Sequence, residues 1–183
     1  MALALNSPLL AWRDAIYIAA GIAGVLGLAL LLLQPLLANQ ALPGLTRRQS
    51  LRCHQISGML LALAIIIHVA ALWVTSPPDV VDALLFVSPT PFSAWGVVAM
   101  WAAFASALIA GLRRKILLRY RVWRALHLGL GFIVVVGTVI HAALIDGTME
   151  PWSKHALSGC VLLATIWVIA RRYLPAKRKT GAS

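Results

Sequence analysis

Five stretches of the chain run almost free of charge, at about residues 15–37, 50–75, 93–112, 121–145 and 153–172. An apolar run of roughly 20 residues is what an α-helix needs to cross the hydrocarbon core of a bilayer. None of the stretches alternates polar and apolar residues at a period of two, as the strands of a membrane barrel would. The pattern predicts an all-α fold, a polytopic membrane helical bundle of five transmembrane helices filling residues 1–174. A basic tail, residues 175–183, follows it. Between the second and third runs lies SPPDVVDALLFVSPTPF (residues 76–92), whose apolar centre is too short to span and reads as a short helix or cap.

The first run reads as a retained helix rather than a secretory signal. No basic segment precedes it, since Arg13 is followed at once by Asp14, and the apolar run is too long for the core of a signal peptide. Its small residues fall four apart (Ala20 and Gly24, Ala23 and Gly27), a spacing that admits a close neighbouring helix.

Composition agrees. The 183 residues are 61% hydrophobic and 11% charged, against about 25% charged in soluble domains. The net charge of +11 could suggest nucleic acid, but its distribution points to a membrane. Arg47, Arg48 and Arg52 lie between the first two runs. Arg113, Arg114, Lys115, Arg119, Arg121 and Arg124 lie between the third and fourth, and Arg171, Arg172, Lys177, Arg178 and Lys179 follow the fifth. With five crossings these 14 of the 16 basic residues share one side, and all five acidic residues (Asp14, Asp79, Asp82, Asp146, Glu150) share the other. Lys and Arg collect in cytoplasmic loops, so the N-terminus is expected outside and the C-terminus in the cytoplasm. The partner of the basic face is then membrane lipid, with no role left for nucleic acid. Trp12, Trp73, Trp123 and Trp152 fall near run ends, where tryptophan anchors at the interface. Cys53 and Cys160 are expected at different depths, too far apart for a disulfide, and read as small apolar fillers.

Within this apolar background the histidines form a duplicated pattern. The second run contains HQISGMLLALAIIIH (His54 to His68) and the fourth HLGLGFIVVVGTVIH (His127 to His141). Each pair is fourteen residues apart, about 40° short of four helical turns, so both histidines share one face about 21 Å apart along the axis. The two runs are parallel, because one crossing separates them. His54 and His127 then share a level near the cytoplasmic face, and His68 and His141 share one nearer the outer face. Zinc usually takes four ligands, or three and water, and no acid or cysteine lies at matching depth. Haem needs only axial ligands from the protein. Two levels of paired imidazoles therefore predict two haem groups, with His54 and His127 on the inner iron and His68 and His141 on the outer. Gly58 and Gly131 each follow the first histidine of their run by one turn and leave room for a flat ring. Gly129 and Gly137 extend that clearance. Arg48, Arg52, Arg121 and Arg124 lie at the right depth for the inner propionates. Lys154, His155 and Trp152 lie at the level of the outer ones. His155 has no partner in the histidine pattern.

The segments RRQSLRCHQISG with its following histidine, YRVWRALHLGLG with its own, and LIDGTMEPWSKH together resemble the ferric reductase-like transmembrane domain, the haem membrane domain of the NADPH oxidase and ferric reductase superfamily, in a bacterial stand-alone form. The resemblance covers about residues 15–172. It implies a ferric reductase-like oxidoreductase component, a conduit of two haem b groups for electrons across the membrane. The larger family members continue into flavin- and NADPH-binding domains. This chain has no glycine-rich nucleotide loop after its last run and no flavin or NADPH site. The electrons are then expected from a separate cytoplasmic flavoprotein or a quinol, and are passed to ferric iron, oxygen or a periplasmic acceptor protein. The setting is a multi-pass protein of the bacterial inner membrane. Two other readings remain open at this point: the haem membrane subunit of a periplasmic reductase, such as a methionine-sulfoxide reductase system, and a haem-free transporter or proton pathway using histidine relays.

Overall fold

The computed structural model describes residues 13–113, 115, 117, 119–146 and 150–173. Trp12, Arg114 and the tail with Lys177, Arg178 and Lys179 lie outside the described residues, as does the centre of the segment between residues 144 and 155. Six helices are described: α1 (Ala15–Ala38), α2 (Arg47–Thr75), α3 (Pro77–Leu84), α4 (Pro91–Leu112), α5 (Tyr120–Leu144) and α6 (Pro151–Tyr173). All but α3 are long and apolar enough to cross a membrane, and no strand occurs among the described residues.

The boundaries fall within three residues of those predicted, and local chemistry accounts for the differences. Helix α2 begins at Arg47 because Thr46 and Gln49 form a capping box: the Gln49 backbone N–H donates to Thr46 Oγ1 (3.3 Å), and the Thr46 N–H donates to Gln49 Oε1 (2.9 Å). Helices α4 and α6 each begin on a proline, a residue whose fixed φ suits the first helical turn and whose missing N–H costs nothing there. The segment 76–92 contains the short helix it was expected to contain.

The bundle is built from two antiparallel hairpins, α1–α2 and α4–α5. Moving fourteen residues along α2, from His54 to His68, moves the contacted carbonyl fourteen residues back along α1, from Gln34 to Ala20. The second hairpin repeats the register: from His127 to His141 on α5, the partner moves from Ser106 to Phe92 on α4. Helix α6 lies behind both hairpins, touching α1 and α5, and its Val161 joins Leu28, Leu31, Ala102, Val134 and Val135 in the core. Large apolar side chains cover the outside, Met59, Leu63, Ile66 and Phe132 among them. In water such a surface would aggregate; in lipid it is the solvated face, while the backbone polar groups are satisfied within the helices.

Polar contacts tie the first hairpin together where apolar packing cannot discriminate between registers. The buried Ser50 hydroxyl donates to the Leu37 carbonyl (2.6 Å), and Gln34 Nε2 donates to Ser57 Oγ (2.8 Å). Cys53 and Cys160 are both free, as expected.

Candidate cofactor site

The four patterned histidines meet as two pairs across the space between the hairpins. The ring centroids of His54 and His127 are 6.2 Å apart, with the planes at 81°. Those of His68 and His141 are 6.4 Å apart, with the planes at 85°. A metal–imidazole bond measures about 2 Å and the ring centre lies about 1.1 Å behind the nitrogen, so two imidazoles on opposite sides of one metal have centroids about 6.3 Å apart. Edge-to-face aromatic contacts span about 4.5–7 Å and include this value. What separates the two cases is where the ring nitrogens point.

Every Nδ1 is tied back to its own hairpin. His54 Nδ1–H donates to the Gln34 carbonyl (3.2 Å), His68 Nδ1–H to the Ala20 carbonyl (2.7 Å) and His141 Nδ1–H to the Phe92 carbonyl (2.9 Å). His127 Nδ1 pairs with the Ser106 hydroxyl (2.8 Å). A carbonyl oxygen only accepts, so Nδ1 of three rings carries the proton and Nε2 keeps its lone pair. A hydrogen bond of this kind on the other ring nitrogen fixes tautomer and ring direction in metal-ligating histidines. Among the described residues no group of three or more His, Cys, Asp or Glu converges on one point. Two nitrogens per level fall short of a zinc site and match the axial requirement of a haem.

Two glycines that sequence reasoning had not connected with the rings make the carbonyls reachable. Residue 24 is one turn after Ala20, and residue 96 is one turn after Phe92. A Cβ on Gly24 would lie 3.2 Å from His68 Nδ1, and one on Gly96 would lie 2.7 Å from His141 Nδ1. Each missing side chain opens the groove through which an imidazole reaches the helix backbone. Gly24 was legible as a close-approach residue on α1; Gly96 carried no such signal, because nothing in its own segment repeats.

The His68 and His141 pair lines a cavity of about 840 Å³, within the range of roughly 300–1,000 Å³ typical of small-molecule and cofactor sites. Val80, Ala83 and Leu84 of α3 form part of its wall. Arg13 and Lys154 also line it; by sequence these are the two basic residues outside the three basic clusters. Lys154 is buried, and its ammonium donates to the Ala143 and Ile145 carbonyls at the end of α5 (3.2 and 2.8 Å) and lies 3.9 Å from Asp146. Trp152 and His155, at the same level by sequence, are exposed and do not line the cavity.

Around the other pair, Arg48, Arg52 and Arg121 are exposed, and Arg124 is half-buried with its guanidinium 6.0 Å over the Tyr120 ring. Open space surrounds the Cβ positions of Gly131 and Gly129. At Gly58 the equivalent position is 3.6 Å from Gln34 Oε1, so that glycine borders α1. A Cβ on Gly137 would lie 3.0 Å from Ala99 Cβ and from the Trp95 carbonyl oxygen, so this glycine admits the close approach of α4 to α5. Trp123 was expected only as an interfacial anchor; its ring stacks on His127 at 5.4 Å and 11°.

The Ser106 hydroxyl is the one side-chain anchor of the four. Ser106→Ala is expected to loosen His127 and to weaken retention of a haem bound at this level by up to about tenfold, the scale of one neutral hydrogen bond. Ser106→Thr should restore the wild-type rate, as read by transfer of the bound group to an excess of apomyoglobin.

The sequence model of the family described as ferric reductase like transmembrane component matches residues 23–138, more than half of the chain. That span contains His54, His68 and His127, with His141 just beyond its end. No curated protein and no solved structure matches the chain.

Proposed function

The chain belongs to the ferric reductase-like transmembrane family, and on that premise we propose that it is a two-haem b-type membrane electron-transfer protein, carrying electrons from a cytoplasmic flavoprotein or quinol to an outer acceptor such as ferric iron, oxygen or a periplasmic protein. The observation that carries this reading is the common anchoring of the four Nδ1 atoms on rings that meet as two pairs at two levels. His54 with His127 and His68 with His141 would hold the haem groups, and a haem b bound there would supply a one-electron couple for outer-sphere exchange with donor and acceptor.

In this reading the protein supplies position and environment. The anchoring carbonyls keep Nδ1 of His54, His68 and His141 protonated, and the Ser106 hydroxyl holds the His127 ring. His54 and His127 serve the level near the cytoplasm, His68 and His141 the level near the outside, and about 21 Å of helix separates them. Arg48, Arg52, Arg121 and Arg124 stand at the cytoplasmic end to offset propionate charge; Lys154 does so at the outer end. The membrane is the bacterial plasma membrane, with the basic loops inside.

The direct test is the pyridine haemochrome spectrum of protein purified after expression with ample haem precursor. Two haem b per chain is the expected result. A preparation with no Soret absorbance would sink the proposal and return the histidines to a proton-relay reading.

A further inference from the structure

His54 is anchored differently from the other two carbonyl-bound rings. His68 and His141 reach the Ala20 and Phe92 carbonyls beside a glycine one turn further on, Gly24 and Gly96. One turn after Gln34 stands Ala38, and no glycine opens the way. The His54 bond is the longest of the three, 3.2 Å against 2.7 and 2.9 Å, at the outer limit for a bond of this kind. By itself it holds its ring least. A second set of bonds stands beside it. Gln34 Nε2 donates to Ser57 Oγ (2.8 Å), and the Ser57 hydroxyl donates to the His54 carbonyl (3.3 Å). Residues 54 and 57 lie one turn apart on α2. Gln34 and His54 are therefore joined by a closed loop of three hydrogen bonds. One arm runs from the Gln34 carbonyl to the ring, the other from the Gln34 amide through Ser57 to the His54 main chain. A hydroxyl that accepts a hydrogen bond becomes a stronger donor, and Ser57 is buried away from competing water. Two attachment points on one residue stop α1 from sliding or turning beneath the ring, which a lone carbonyl does not.

We propose that Gln34 is a positioning residue for His54, its side-chain amide acting through Ser57 to fix the plane and tautomer of the imidazole that would ligate the inner haem. This rests on the two-haem reading above. The amide does at this level what the glycine grooves do at the other: it sets how closely the ring meets its carbonyl.

The test uses full-length protein carrying His141→Ala, so that only the haem at the His54 and His127 level contributes. Gln34→Met keeps the side-chain length and the backbone carbonyl and removes the amide. Haem transfer to apomyoglobin should quicken about three- to thirtyfold, the range for interhelical hydrogen bonds in lipid. The reduction potential should rise, because a weaker bond at Nδ1 leaves a less basic ligand. The low-spin EPR signal should shift or broaden, because its anisotropy follows the angle between the two imidazole planes, 81° here. Ser57→Ala should do the same, and the double variant should be no worse than either single one, as expected of two members of one network. Ser50→Ala removes a different tie between α1 and α2 and should leave the potential and the EPR signal unmoved. Gln34→Met and Ser57→Ala proteins with the parent's release rate, potential and EPR signal would overturn the proposal. Faster release with the potential and EPR signal unmoved, or a Ser50→Ala protein that moves them equally, would show a tie between helices only and overturn it as well. A wild-type protein that binds no haem would instead overturn the reading beneath it, so the two failures are distinct.

Discussion

His141→Ala should lower the haem content from two per chain to one, and the haem that remains should keep the spectrum and potential of the His54 and His127 level. The hairpin register is the reason. His141 and its anchor on Phe92 lie fourteen residues from His127 and its anchor on Ser106, on both helices. The two levels share no ligand and no anchoring group, and effects at sites this far apart combine independently. His68→Ala should give the same product, since it removes the opposing imidazole from the same cavity. His54→Ala and His127→Ala should give the complementary one-haem protein. The assignment fails if all four variants keep the wild-type stoichiometry, or if any of them loses both haems while remaining folded by circular dichroism.

Gly96→Ala should be nearly as damaging at the same level, although it removes no ligand and adds one methyl group. The added carbon would sit 2.7 Å from His141 Nδ1 and 2.9 Å from Cε1, closer than real Cβ contacts allow. The imidazole cannot simply retreat. Phe92 flanks it at 5.8 Å, and its Nδ1 is held on the Phe92 carbonyl. Relieving the overlap means lengthening or breaking that bond, which frees the ring to turn away from its place opposite His68. Loss of most of this haem, with the other level intact, is the expected outcome. Gly24→Ala should be milder, because its Cβ would lie 3.2 Å from the His68 ring and a shift of a few tenths of an ångström relieves it. Alanine is intrinsically favoured over glycine within a helix by about 0.5–1 kcal/mol. Gly159→Ala, with nothing within 4 Å of its Cβ, should therefore be neutral or slightly stabilising. Equal haem contents in the Gly96, Gly24 and Gly159 variants would show that the grooves do not position the rings.

The histidines were legible because they carry their own periodicity. A fourteen-residue interval in two parallel helices places four rings at two levels without any knowledge of packing. Their anchors were not legible in the same way. Three of the four are backbone carbonyls, and a carbonyl is the same group on every residue. Gly96 was invisible for a related reason: the sequence gives glycine no direction, and its meaning depends on which ring crosses it. The arginines show what depth alone leaves open. Depth picked out Arg48, Arg52, Arg121 and Arg124, yet the guanidinium lying over the indole stacked on His127 belongs to Arg113, because side-chain direction at the end of α4 is set by contact with α5.

By itself the sequence determined the five apolar spans, the short helix between the second and third, and the level spacing of the histidines. Those features follow from hydrophobic length and helical periodicity, which are local. Tertiary structure decided which nitrogen of each imidazole is free, which glycines open the grooves, and where the cavity lies. Those follow from the antiparallel register of two hairpins, a contact between residues 20 or more positions apart that no local pattern encodes.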